Sequence, residues 1–316
     1  MAHMIAKTTS GKDAIAYVGD TPWHGLGQAL TTDASLDVWA TESGLDFEIN
    51  STNVMYRSDV NNVYAQTVVT GKKVLYRKDN GHALGIVSDK YKVVQPIEVL
   101  EFFRDMVGTM ANLETAGVLR NGAHYWALAK MDGEFSLAGD KVNQYLLLAS
   151  SADGSLATQA KLTSIRVVCN NTLQLAQSNT STSVTVRHNS KFIATDVKHQ
   201  LANYNESFKA FEATAKLLAS IKVTESHANA LFVKLLGGDI LKPSRAAKRA
   251  LELYDGSGIG ADLESAKGTA WGALNAITQL FDWETSRTGD ARLRNTWFGA
   301  GANIKQQAVD ELLALA

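Results

Sequence analysis

The first half of the chain is built of short apolar runs rich in Val and Tyr, closed by Asn, Asp or Gly. Thr52–Arg57, Val63–Thr70, Lys73–Arg77 and Ala83–Ser88 fit this pattern and predict strands. Asp79-Asn80-Gly81 and Arg120-Asn121-Gly122 are hairpin turns, because Asn-Gly tolerates the positive φ of a tight turn. Between them Pro96 opens a helix whose Ile97, Leu100, Phe103, Met106 and Val107 share one face. Ala116–Leu119, Tyr125–Lys130 and Val142–Ala149 read as further strands, and Leu156–Leu162 and Ser183–His188 as two more. Between those last two, Arg166–Gln177 reads as a helix, ended by the Asn/Ser/Thr cluster Ser178–Thr182.

From about Thr195 the period changes. Leu201, Tyr204, Phe208, Phe211, Ala215 and Leu218 recur at spacings of three and four, a heptad-like stripe. It fits an intramolecular helix bundle or an oligomer contact. Glu225–Leu236, Arg245–Tyr254, Leu263–Asp282 and Ile304–Leu315 predict further helices. The expected fold is α+β: an antiparallel, β-hairpin-rich part with interspersed helices over residues 1–194, then a helical region over 195–316 packed on it. No Pro- or Ser-rich linker separates the two, and the chain has only three prolines.

Composition narrows the class. With 316 residues, 45% hydrophobic and 20% charged, the chain is globular rather than disordered. The net charge of −1 means that any polyanion must be met by a local patch. The N-terminus lacks the apolar run of a signal peptide, and runs such as Tyr145–Ala149 are far short of the roughly 20 residues that span a membrane. The single cysteine, Cys169, excludes an internal disulfide and fits a reducing compartment.

Local charge then points to a polyanion. The stretch Ser155–Gln200 carries Lys161, Arg166, Arg187, Lys191 and Lys198 against Asp196 alone. Within it, Thr163 to Thr172 is dense in hydroxyls and amides, including Asn170 and Asn171. Such groups, with backbone N–H at a helix start, contact phosphate oxygens, and Thr163 or Ser164 would be the N-cap. A solvated, well-capped helix has the same composition. Lys73 and Arg77 share one strand face, with Lys72 and Lys78 on the other. Lys242, Arg245 and Arg249 line a helix face. Trp23-His24, flanked by Gly25 and Gly27, offers an aromatic pair that either stacks on a base or plugs the core as a folded arm. Tyr56, Tyr64, Tyr76 and Tyr91 are further aromatics, of a type that more often packs within a sheet.

Catalytic patterns are weaker. The chain has no Walker loop, zinc-protease helix or nucleophile elbow. Gly256-Ser257-Gly258-Ile259-Gly260 follows no strand, so it fails as a dinucleotide loop. The histidines His24, His82, His124, His188 and His199 lack ligand spacing, and no acidic cluster suggests a two-metal centre. Cys169 beside Val167 and Val168 reads as a packing residue. These features predict a binding protein with no cofactor and no metal.

Three segments resemble a known family. Thr21 to Gly27, the block Thr163-Ser164-Ile165-Arg166-Val167-Val168-Cys169-Asn170-Asn171-Thr172-Leu173, and Trp271–Asp282 followed by Trp297-Phe298-Gly299 are similar to the phage/plasmid-like proteins, whose domain has no assigned function. That resemblance implies a phage, prophage or plasmid origin and the cytoplasm of a bacterial host. The order of elements is similar, more distantly, to phage single-strand annealing proteins of the Red-beta and Erf type, which form rings or filaments with a basic groove. The implied function is single-stranded DNA binding and annealing in recombination, without catalysis and with a homo-oligomer as the acting form. Lys161, Arg166, Arg187, Lys191, Lys73 and Arg77 would meet phosphates, Asn170 and Asn171 would add hydrogen bonds, and Trp23 would stack. The alternative is an interaction factor that inhibits a host defence or replication component. An enzyme built around His24 or Cys169 ranks third.

Overall fold

The computed structural model describes residues 5–19, 27–60, 63–166, 171–173, 183–201, 204–285 and 300–316. Strands dominate up to Val186: β1 (Ile15–Tyr17), β2 (Gln28–Ala29), β3 (Ile49–Val60), β4 (Val63–Arg77), β5 (Ala83–Ser88), β6 (Ala111–Leu119), β7 (His124–Leu137), β8 (Asp140–Ser151), β9 (Thr158–Arg166), β10 (Asn171–Leu173) and β11 (Ser183–Val186). Two helices interrupt them, α1 (Leu36–Ser43) and α2 (Pro96–Glu101). Then follow α3 (Ala194–Gln200), α4 (Tyr204–Ser220), α5 (Glu225–Leu236), α6 (Arg245–Glu252), α7 (Ala270–Gln279) and α8 (Ala300–Leu313). The fold is mixed α+β, with a β-rich first part and a helical C-terminal part, as its periodicities predict.

Among the described residues the strands form an eight-stranded sheet, β10-β9-β8-β7-β6-β1-β2 with β11 also on β9, and a three-stranded sheet, β3-β4-β5. The core of the first part includes Leu75, Val99, Leu100, Phe103, Ala127, Leu146 and Ala160. Trp126, Leu128, Tyr145 and Leu147 form a smaller cluster on the opposite face of the large sheet. Successive strand residues point to opposite faces, so Lys161 lies with this second group while its neighbour Ala160 joins the first.

The two long central strands connect the parts. Phe135, Leu137 and Val142, at the far ends of β7 and β8, belong to the core made by α4 to α8. Val197, within α3, and Leu201, at its C-terminal end, belong instead to the sheet core. Asp140, fully buried at the start of β8, accepts hydrogen bonds from Trp271 Nε1 at 3.0 Å and Ser265 Oγ at 3.4 Å. All ten residues of α7 are buried, so this helix is enclosed on every side, with Asn275, Thr278 and Gln279 among its buried residues. Gly272 is required there, because a Cβ would lie 1.9 Å from the Ala266 carbonyl oxygen.

Five expectations need correction. Residues 171–173 are not helical; Asn171–Leu173 is a strand paired with β9, Asn171 opposite Arg166. Thr163 and Ser164 are buried in β9 and cap no helix. The β-branched and apolar residues here suit a sheet, and pairing of β9 with β8 outweighs the local hydroxyl and amide signal. Gly71 does not end a strand: at φ 75° it sits within the irregular pairing between Asn53–Lys73 and Met55–Val68, inside one continuous β4. The stripe from Leu201 to Leu218 divides, Leu201 going to the sheet core and Phe211, Ala215 and Leu218 to the helical core. The helix expected from Leu263 starts at Ala270, where Thr269 in extended conformation accepts from Gly272 N–H as its N-cap.

Candidate nucleic-acid interface

The turn after β11 is held by a buried histidine. His188 Nδ1 lies 3.0 Å from the Lys92 carbonyl and Nε2 lies 3.0 Å from the Leu156 carbonyl. Its ring stacks on Tyr91, with centroids 4.2 Å apart and planes 16° from parallel. Lys92 N–H donates back to the His188 carbonyl at 2.5 Å. Tyr91 is fixed in turn: its hydroxyl donates to the Ser151 carbonyl at 2.8 Å, and burial raises its phenol to about 12. The Tyr91 carbonyl accepts from Lys73 Nζ at 2.8 Å. Asp89 N–H donates to the Gly71 carbonyl at 3.2 Å.

These contacts draw three distant segments together: 72–73 on β4, 90–92 after β5, and 187–191 after β11. Lys72, Lys90, Lys92, Arg187 and Lys191 are exposed, and none forms an ion pair among the described residues. Asp89 is the one acidic residue in or between the residues that join them at 88–92. Lys73 turns toward Tyr91 in this partly buried base, so Lys72 lies on the opposite face of β4, and Lys90, Lys92, Arg187 and Lys191 are the exposed cations on the joined segments, residue types suited to phosphate.

Of the residues singled out in the sequence, Lys73, Arg187 and Lys191 lie on the segments that these contacts join. Lys90 and Lys92 were missed. Lys161 is half-buried on the second face of the large sheet, where burial lowers its pKa to about 8. Arg77 is buried: it donates to both carboxylate oxygens of Asp79 at 3.0 and 2.6 Å and lies 3.9 Å over the Phe47 ring. Arg166 and Asn171 face each other across β9 and β10. Asn170, Trp23, His24 and Cys169 lie outside the described residues. In the helical part Arg249 is bound by Glu284 at 2.7 Å and Glu252 at 2.9 Å.

The β3–β4 ribbon adds aromatic surface. β5 pairs only with Lys72 to Tyr76 of β4, so from Met55–Val68 outward the ribbon has two strands. Tyr64 is 65% exposed and Tyr56 53%, and the Arg57 guanidinium sits 4.3 Å from the Tyr64 ring centroid. Tyr56 lies on the other face, by the alternation of the strand.

One cluster has the residue types of a hydrolase. His124 Nε2 is 2.7 Å from Ser155 Oγ and 3.1 Å from Asp153 Oδ2. Hydroxyl and carboxylate share one ring nitrogen, whereas a proton relay needs them on opposite nitrogens. Burial pushes Asp153 up, but hydrogen bonds from His124 and Ser155 outweigh it and hold the carboxyl well below its ordinary range. Among the described residues, no three His, Cys, Asp or Glu side chains gather as metal ligands do, and no helix is long and apolar enough to cross a membrane.

Residues 83–297 match the family model described as Domain of unknown function (DUF932). The chain belongs to the DUF932 family. The match runs from β5 to the segment before α8, so the DUF932 region contains Lys90, Lys92, Arg187 and Lys191, while Lys72, Lys73 and the β3–β4 ribbon precede it. Comparison with curated proteins and with solved structures gave no match.

Proposed function

We propose that this DUF932 protein binds single-stranded DNA for a phage or plasmid in a bacterial cytoplasm, and brings complementary strands together for annealing in recombination. The observation that supports the proposal is that His188, Tyr91 and Lys73 tie together the segments carrying Lys90, Lys92, Arg187 and Lys191, four exposed cations without ion-pair partners among the described residues. Phosphates release counterions when they meet such cations, which supplies sequence-independent affinity. Tyr64 with Arg57, and Tyr56 on the reverse face, offer stacking surfaces that unpaired bases can use and duplex bases cannot. Annealing needs no cofactor, since base pairing drives it. The exposed Met55 and Val68 of the same ribbon favour a second reading, a protein-interaction factor directed at a host defence or replication component.

Fluorescence anisotropy with a labelled oligonucleotide tests the first reading. Binding should weaken steeply with salt, with a log–log slope of roughly −3 for four phosphate contacts. Removing Arg187 and Lys191 together should flatten that slope by about 1.4. No binding at low salt would sink the proposal.

A further inference from the structure

We infer that β3 is a self-association edge, and that its occupant is β3 of a second copy of this chain, paired antiparallel about a two-fold axis at Ser58. The inference is independent of whether DNA binds. In the order β3-β4-β5, β3 has a neighbour on one side only; at its inner end the Gln95 side chain bonds the Ile49 N–H and C=O, and from Ser51 to Val60 the outer row of backbone groups is unpaired by this sheet. An unprotected edge of this length templates another strand. The outer ribbon also lacks what normally sustains a hairpin in water. It has two strands, and its large apolar side chains Met55, Tyr56, Tyr64 and Val68 are 46–65% exposed. A two-stranded ribbon of this kind is marginal until a third strand or a packed face supports it.

Charge selects the occupant. Arg57 and Asp59 lie two apart on one face of β3. In an antiparallel pairing centred on Ser58, Arg57 of each copy stands opposite Asp59 of the other, so the pattern is complementary to itself. Two opposite-charge cross-strand pairs form at once, and the same register places Tyr56 opposite Val60. The outer part of β4 runs Val63-Tyr64-Ala65-Gln66-Thr67-Val68-Val69-Thr70 without a charge and offers no such code. The product is a closed dimer with a continuous four-stranded ribbon, β4-β3-β3-β4, whose tyrosines remain on the two faces. The α4 stripe is not the contact, because Phe211, Ala215 and Leu218 are already buried within the chain.

Sedimentation equilibrium of the full chain should give twice the monomer mass at micromolar concentration. Arg57→Glu should raise the dimer dissociation constant at least about tenfold, because both cross-strand pairs become repulsive. Arg57→Glu with Asp59→Arg should restore it, since the swapped code is again self-complementary. In a Cys169→Ser background, Ser58→Cys should form an intermolecular disulfide under mild oxidation, because residues facing each other across antiparallel strands lie within disulfide reach. Circular dichroism of each variant confirms folding. A monomer at every concentration would overturn the inference, as would a dimer unmoved by Arg57→Glu together with no Ser58→Cys cross-link.

Discussion

Lys305 in the helical part and Lys161 in the sheet are both removed from water, with different consequences. Lys305 is 1% exposed and its Nζ lies 2.8 Å from the Asp282 carboxylate, forming a buried ion pair. Lys161 lies half-buried on β9, and burial depresses its pKa to about 8. Arg187 and Lys191, a few residues beyond the strand that pairs with β9, stay in solvent. The comparison teaches that basic residues close in sequence, such as Lys161 and Arg187, need not serve one purpose. In the helical part the cation sits in a buried ion pair; around β9 and β11 Arg187 and Lys191 stay exposed, and Lys161 is held half-buried.

The largest expected effect breaks the helical side of this contrast. Lys305→Met leaves the Asp282 carboxylate buried without its ammonium and should lower stability by about 3–5 kcal/mol. Urea denaturation followed by circular dichroism measures it. Lys305→Met with Asp282→Leu should recover most of the loss, since a buried pair replaced by apolar groups is often neutral. If the single variant lost less than about 1 kcal/mol, the pair would not be a structural element of the core.

A smaller effect, of opposite sign, sharpens the sheet side. The folded pKa of Lys161 lies below that of an unfolded lysine, so folding disfavours its charged form. The penalty is fully present below about pH 8 and fades as pH rises toward the ordinary lysine value. Lys161→Met should therefore raise stability by about 1–2 kcal/mol at pH 7, less than the full shift because the side chain keeps some contact with water. The gain should shrink to less than half by about pH 9.5. Urea midpoints at the two pH values give the result, and no gain at pH 7 would show that Lys161 is well accommodated as a cation.

The turns and the change of period were legible in the sequence. Asp79-Asn80-Gly81 and Arg120-Asn121-Gly122 do close hairpins, with Gly81 at φ 72° and Asn121 at φ 55°. Local chemistry decides such turns, so it can be read locally. Asn171–Leu173 was misread because its fate rests on pairing with β9, which hydroxyl and amide composition does not encode. The candidate surface was half legible. Lys73, Arg187 and Lys191 stand out as cations, but Lys90 and Lys92 reach them through His188, which bonds a residue 96 positions away. The signal available was the alternation Lys90-Tyr91-Lys92, an aromatic turned inward between two cations turned outward. Arg77 carried its own warning in Asp79, two residues on, now its bidentate partner.

The smallest expected effect separates two arginines, Arg187 from the main basic stretch and Arg249 from a secondary basic helix face. Arg249 donates to Glu284 at 2.7 and 3.0 Å and to Glu252 at 2.9 Å, and this pairing raises its pKa further above the usual arginine value. The site is partly exposed, so Arg249→Ala should cost at most about 1 kcal/mol of stability. Its charge is already neutralised by two carboxylates, so the salt slope of oligonucleotide binding should not change. Arg187→Ala should do the reverse: stability within about 0.5 kcal/mol of the parent, and a salt slope flatter by about 0.7. Measuring both quantities on both variants gives four numbers, and only the crossed pattern fits a surface where free cations bind phosphate and paired ones hold helices together. A slope that falls equally for both would move the interface toward the helical part and remove the 187–191 turn from its special position.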